Sequence, residues 1–162
     1  MFYASGDPDT ALKEIATKGP GAYAVGCFET RRKCLLLDLA STPEVPSIFD
    51  AWCISDSVEY SPRAVLTFLK RVEAEMSRPI AHDDRIHLEY VPTQVVTEFI
   101  RVRSLRGRSI EGIRYRSAAR DGGISCVVFA TKEHIQEGGM EPTRPGQEAW
   151  IKLMCTSERE LT

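Results

Sequence analysis

The stretch 110–130, IEGIRYRSAARDGGISCVVFA, contains the two apolar runs on which the fold prediction rests. Residues 110–115 and 125–130 are rich in β-branched and aromatic side chains, which favours two strands. Between these runs, Asp121-Gly122-Gly123 favours a tight turn. The stretch therefore predicts two strands joined by a polar loop.

Outward from this centre, residues 2–5 predict a short strand. Residues 22–30 and 33–39 carry β-compatible runs around a polar turn, which predicts a hairpin or two consecutive strands, with residues 34–37 central in the sheet. The tail from Lys132 is weakly patterned. Its residues 138–146 predict loop or disorder, and Trp150 to Met154 predict an edge strand.

Three helices separate these runs. Asp7 as N-cap and Pro8 at the first position begin one that extends to about Lys18. Ser61 and Pro62 begin the second, with an apolar stripe predicted to be core: Val65, Phe68, Leu69, Val72 and Met76. The third begins after the run 88–91, where Pro92-Thr93-Gln94 favours capping, and extends to about Val102. Its predicted buried face contains Val95, Val96, Phe99 and Ile100.

This pattern predicts an α/β (α+β) fold with a central mixed β-sheet and flanking helices. A length of 162 residues, of which 43% are hydrophobic, favours one domain. We place that domain at residues 1–135. Residues 136–162 then form a C-terminal tail of loop plus the edge strand.

Composition limits the function classes. The chain has 21 basic and 23 acidic residues, a balance that favours neither nucleic acid nor an anionic membrane as partner. No apolar run approaches the ~20 residues that span a bilayer, so we expect a soluble, cytoplasmic protein. The five cysteines are odd in number and widely spaced, which favours reduced thiols, with Cys27, Cys34 and Cys126 buried.

Histidines give no metal signal. His82 and His87 flank Asp83 and Asp84, but no cysteine pair stands near enough to complete a site. His134 stands alone. We predict that residues 82–87 belong to a loop and that the chain has no metal site.

Four segments, in this order, resemble RES domains over roughly the first 130 residues. They are Tyr3 with the sequence TALKE at 10–14, YVPTQ at 90–94 with Glu98-Phe99, GIRYRS at 112–117, and Gly122-Gly123 leading to VVF at 127–129. The Pro-Thr-Gln variant most resembles RES domains at the C-terminal end of longer bacterial proteins.

The resemblance implies a fold related to ADP-ribosyltransferases and cleavage of the nicotinamide-ribose bond of NAD, which is then the substrate. It also implies a toxin paired with an Xre-like antitoxin, which destroys NAD or transfers ADP-ribose. Water, phosphate and protein all stay open as acceptor. Glu14 matches the family's Glu, Ser117 its Ser, and Tyr3 its pocket tyrosine. We add Gln94, Tyr115 and Arg116 as candidate NAD-binding residues.

The chain departs from the family pattern in two places. RES domains carry Arg residues upstream of the tyrosine, and here only Met1 precedes Phe2. The resemblance therefore implies a domain without its N-terminal Arg segment, and it leaves open whether this chain is active alone. Arg116 stands where Pro is common.

The chemistry suits these residue types, although each has a structural alternative. Cleavage of the bond to nicotinamide develops positive charge on the ribose, which a carboxylate stabilises. Glu14 falls at the flank of its helix's apolar face, where it either lines a cleft or is simply solvated. Ser117 either orients ribose or water, or is a turn serine. Tyr3 either stacks on a ligand ring or belongs to the core.

Two other functions stay open. The chain is either an enzyme or a non-catalytic module that binds a partner protein. The arginines between Arg101 and Arg120 could bind nucleic acid, bind an acidic partner, or form a solvated surface. Of these interpretations, we favour direct binding of nucleic acid least. We also expect an exposed sheet edge at residues 2–5 to promote self-pairing, as in a homo-oligomer.

Overall fold

The computed structural model describes residues 1–15, 19–50, 61–78, 86–105, 107–136 and 149–161. Several predictions lie outside these residues: the end of the first helix at 16–18, Cys53, the loop residues His82 to Asp84, and the loop at 138–146. All other predicted elements can be compared with the structure.

The first sheet has four strands in the order β1-β7-β6-β3. They are β1 (Phe2–Ser5), β3 (Leu36–Asp38), β6 (Gly112–Arg116) and β7 (Ile124–Val128). Strand β3 is parallel to β6 and the other pairs are antiparallel, so the sheet is mixed. The two strands predicted from 110–130 are confirmed. The 34–37 run, which was predicted to be central, instead leads into the edge strand β3.

The second sheet has the order β2-β9-β8. It contains β2 (Gly21–Thr30), β8 (Ile135–Gln136) and β9 (Ile151–Leu161). The 22–30 and 33–39 runs form two consecutive strands, β2 and β3, but the hairpin alternative is wrong, because β2 pairs with β9. The strand predicted at Trp150 to Met154 is confirmed as part of β9, but its predicted edge position is wrong, since β9 is the central strand of this sheet. The local sequence pattern does not indicate which strands pair when they are distant in the chain.

The helices are α1 (Pro8–Ile15), α2 (Pro62–Met76) and α3 (Ile86–Arg101). Asp7 caps α1 as predicted, because the Thr10 N–H donates to its Oδ1 at 2.9 Å. Ser61 occupies the N-cap of α2 but makes no side-chain cap hydrogen bond. Helix α3 begins at Ile86, so His87 belongs to this helix and not to the predicted loop. Gln94 lies well inside α3, and its predicted capping role is wrong. A short hairpin, β4 (Ser104–Leu105) with β5 (Arg108–Ser109), follows α3.

Two core clusters cover the two faces of the first sheet. On one face, Val127 packs with residues of α2, α3 and β6: Val72, Ile100 and Ile113, together with Leu39. On the other, Val128 packs with Ile151 of the second sheet and with Ala130 and Trp150, which lie outside its strands. Adjacent strand residues point to opposite faces, so Val127 and Val128 divide the core into a helix layer and a second-sheet layer.

The predicted helix stripes are only partly buried. Val72 and Ile100 are buried, and Leu69, Met76 and Val96 pack beside them. The flanking residues Val65, Phe68, Val95 and Phe99 are exposed by half or more, contrary to prediction. The four-stranded sheet covers one side of each stripe, and the other side faces outward. Cys27 is also exposed rather than buried, because it lies on the open β2–β9 ribbon.

With two mixed sheets and three helices, the described residues confirm the α+β fold. None of the helices they contain is both long and apolar enough to cross a membrane.

Candidate functional site

Glu14 and Ser117, distant in sequence, are in direct contact. The Ser117 hydroxyl donates to Oε1 of Glu14 at 2.6 Å, and the Ser125 hydroxyl donates to the same oxygen at 3.0 Å. Within the described part of the chain, no donor reaches Oε2. Glu14 is exposed whereas Ser125 is buried. The two serines therefore fix one oxygen of the Glu14 carboxylate.

The sheet register places further residues on the same face. Ser125 of β7 lies opposite Ser5 of β1 and opposite Tyr115 of β6, and the hydroxyls of Ser5 and Ser125 are 3.2 Å apart. Tyr3 precedes Ser5 by two positions, so its side chain leaves the same face of the sheet. Tyr3 is 67% exposed, which excludes the core alternative. Tyr115 packs against the helix-layer core.

The loop that carries Ser117 is held against the start of α1. Arg120 donates to Oδ1 of Asp7 at 2.5 Å and to the Thr10 hydroxyl at 3.1 Å. Thr10 is fully buried, and a Cβ on Gly123 would lie 2.8 Å from its Oγ1. Thr10 and Glu14 are four residues apart on α1 and so share a helix face. The same face of α1 thus contacts both ends of the 117–123 loop.

The contacts of Asp7 with Thr10 and Arg120 lower the pKa of its carboxyl. Hydrogen bonds from the side chain and the backbone N–H of Thr10 lower the pKa of the Asp7 carboxyl, with a further contribution from the Arg120 charge; partial desolvation opposes them. Asp7 therefore stays ionised at neutral pH and keeps both the cap and the ion pair.

Among the described residues, neither Arg116 nor Gln94 makes a hydrogen bond or an ion pair with Glu14. The Arg116 Nε lies 3.3 Å from Oε1 of Glu73 on α2 and donates to the Ala40 carbonyl at 3.2 Å. Glu73 is largely buried and also pairs with Lys70. These contacts support a structural role for Arg116. Gln94 is exposed on α3.

The arginines between 101 and 120 do not form one basic surface in the described residues. Four of them pair with carboxylates on different elements: Arg101 with Glu98, Arg114 with Asp38, Arg116 with Glu73, and Arg120 with Asp7. Arg103 stacks over the Phe99 ring. This arrangement weakens the case for a nucleic-acid surface.

Ser5, Ser125, Asp7, Thr10 and Arg120 were not predicted as parts of the site. The only sequence signal was the small polar residue at the start of the apolar run 125–130, since a buried serine needs a hydrogen-bond partner. Among the described residues, no group of three or more His, Cys, Asp or Glu side chains is arranged to hold a metal ion. The site is thus a carboxylate supported by hydroxyls.

Comparison with known proteins identifies the family. No curated protein and no solved structure shows significant similarity to the chain. The family model described as RES domain matches residues 1–150, which covers the four segments quoted above, the Glu14–Ser117 contact and all strands up to β8. This chain belongs to the RES domain family.

Proposed function

We propose that this RES domain breaks the N-glycosidic bond between nicotinamide and ribose in NAD, with Glu14 as the catalytic carboxylate. The observation that carries the proposal is the pair of hydroxyl donors, Ser117 and Ser125, on one oxygen of an exposed carboxylate. Membership of the RES family supports an NAD-related, toxin-like role in general terms.

In the proposed reaction, the bond from ribose C1 to the nicotinamide nitrogen breaks and its electron pair leaves with nicotinamide. Positive charge then develops on C1 and the ring oxygen of the ribose. Oε2 of Glu14, to which no described residue donates, accepts a hydrogen bond from a ribose hydroxyl and stabilises this charge. Ser117 and Ser125 prevent the carboxylate from rotating away.

Tyr3 supplies an aromatic surface on the face of the first sheet that also carries Ser125. Its ring is largely exposed on the sheet face that carries Ser5 and Ser125. Stacking on the nicotinamide or adenine ring is the role we propose for it. The acceptor of ADP-ribose is water, phosphate or a protein side chain, and the three differ in product.

NAD loss and nicotinamide release test the proposal. The purified chain, Glu14→Gln and the control Glu44→Gln, which changes an exposed loop carboxylate, are incubated with NAD in water, in phosphate buffer and with candidate acceptor proteins. We expect consumption by the parent and the control, and a loss of about 100-fold or more in Glu14→Gln. Equal NAD consumption by Glu14→Gln and its parent would overturn the assignment.

A second candidate function is protein binding without catalysis. Exposed apolar residues on neighbouring helices favour it: Phe68 with Val65 on α2, and Phe99 with Val95 on α3. Large exposed apolar surfaces commonly mark protein contacts. An Xre-like antitoxin is the partner that the family resemblance implies.

Binding of such an antitoxin to Phe68→Ser and Phe99→Ser, measured by calorimetry, tests this candidate. The control is Phe49→Ser, which removes an 87% exposed phenylalanine from the loop before α2. Weaker binding in the two helix variants alone supports a partner surface on α2 and α3. Equal affinity in all three variants excludes that surface.

A further inference from the structure

Cys27 and Cys155 face each other across the second sheet. They are register partners in the antiparallel β2–β9 pair, although they lie near opposite ends of the chain. Directly opposite residues in such a pair project to the same face, with Cα atoms about 4.5–5.5 Å apart. A disulfide spans Cα separations of about 4.4–6.8 Å, so the strands need not move apart or shift register to form one.

The local backbone has room to adjust. The register shifts immediately after Cys27, because Phe28 pairs with Leu153 and Met154 has no register partner. A bulge of this kind interrupts the ladder and increases the twist of the ribbon. Directly opposite Cβ atoms are about 4.5–5.5 Å apart, and the small closure that a disulfide needs is therefore feasible beside this bulge.

Exposure separates this pair from the other described cysteines. The thiols of Cys27 and Cys155 are exposed, whereas Cys34 and Cys126 are partly buried. Burial raises the pKa of the Cys34 and Cys126 thiols, which reduces the fraction present as reactive thiolate. Among the described cysteines, Cys27 and Cys155 are therefore the most accessible to a dissolved oxidant.

We propose that Cys27 and Cys155 form a reversible cross-strand disulfide and act as an oxidation site for a low-molecular-weight disulfide such as oxidised glutathione. One thiolate attacks the glutathione disulfide and releases one reduced glutathione, leaving a mixed disulfide. The second thiolate attacks the protein sulfur of that mixed disulfide and releases the second glutathione. Two thiols are oxidised and one disulfide is reduced, and the two thiol protons pass to the released glutathiones.

The bond has a structural consequence that does not depend on NAD turnover. It links β9 at the C-terminal end of the chain to β2, which packs against α1. Closing a loop of more than about 100 residues restricts the unfolded chain strongly, so the oxidised form is expected to be more stable than the reduced form.

The test uses the full chain under native conditions. Protein is equilibrated with glutathione buffers of increasing oxidised fraction, free thiols are alkylated with N-ethylmaleimide, and the monomeric fraction is mapped by mass spectrometry without reduction. The expected product is a linked peptide pair containing Cys27 and Cys155. Cys27→Ser and Cys155→Ser should instead keep a glutathione adduct on the remaining partner, and Cys34→Ser should still form the bond.

Thermal unfolding provides a second measurement. The oxidised monomer should melt about 5–10 °C above the reduced one, and dithiothreitol or Cys27→Ser should remove this difference. Alkylation of both thiols throughout the glutathione series would overturn the proposal. So would a bond between other cysteines, bonds formed only between molecules, or an oxidised monomer with an unchanged Tm.

Discussion

The Ser117 hydroxyl donates to Glu14 Oε1 across 2.6 Å, although 103 positions separate the two residues. Ser117 belongs to the loop after β6 and Glu14 to α1, and Ser125 of β7 completes the contact. Two neighbouring segments late in the chain therefore fix one carboxylate near its start, which makes the orientation of that carboxylate sensitive to deletion of either hydroxyl.

The first prediction concerns these hydroxyls. Ser117→Ala and Ser125→Ala each remove one hydrogen bond to a charged acceptor, and we expect each to lower kcat for NAD consumption about 10-fold or more. KM should change little, since neither hydroxyl is expected to carry the ligand. Ser117→Thr, which keeps a hydroxyl, should recover most of the rate, and Ser109→Ala on the exposed strand β5 is the matched control. Full activity in both alanine variants contradicts the positioning role.

The second prediction concerns pH and Asp7. Because the folded state lowers the pKa of this carboxyl below the ordinary 3.8, its ionised form stabilises the fold above that value. This contribution is lost as pH falls through the folded pKa. Asp7→Asn can still cap α1 but cannot pair with Arg120 as a charge. We therefore expect a Tm below that of the parent at neutral pH, and a difference that shrinks as the pH falls below 3.8 and Asp7 becomes protonated.

Thermal unfolding across this pH range measures the effect. Asp9→Asn, which changes an exposed carboxylate in the first turn of the same helix, should track the parent at every pH. A Tm difference between Asp7→Asn and the parent that is constant with pH would show that charge is not its cause.

The third prediction concerns the close approach of the 117–123 loop to α1. Gly123→Ala would place a Cβ 2.8 Å from Thr10 Oγ1 and 3.1 Å from the Arg120 carbonyl, so something must shift. We expect destabilisation of about 1–3 kcal/mol by urea denaturation. Gly6→Ala is the control, because its nearest contact at 3.6 Å is ordinary packing. Equal stability of the two variants would falsify the steric account.

The fourth prediction concerns the edge strand β1. Within the described residues β1 pairs only with β7, so β1 is an edge strand of the first sheet, and edge strands are prone to pair with other chains. We expect concentration-dependent self-association by light scattering, and suppression of it by Tyr3→Lys, which adds a charge to the edge. Phe49→Lys, a change of similar character in a loop, should leave the association intact. A monomeric parent at high concentration counts against edge pairing.

The local sequence pattern was sufficient to predict a helix or strand wherever that element is stabilised by its own residues. The Asp7 cap, the Pro62–Met76 helix and the strands on either side of Asp121-Gly122-Gly123 were all predictable, because capping, helical periodicity and turn chemistry act over a few residues. Gln94 shows the limit of this reasoning. The Pro-Thr-Gln sequence resembles a helix entrance, yet α3 begins at Ile86 and continues through it.

The sequence by itself determined the fold class, the RES family and the choice of Glu14 and Ser117 as candidate site residues, but not the contact between them. Only the tertiary structure decided that β2 pairs with β9 rather than with β3, that Arg116 pairs with Glu73, and that Ser125 joins Glu14. Strand partners and side-chain contacts of this kind depend on which surfaces remain to be buried once the whole chain has collapsed. Each segment of the chain specifies its own helix or strand. The contact between α1 and the loop after β6 forms only when β1, β7 and β6 align in register.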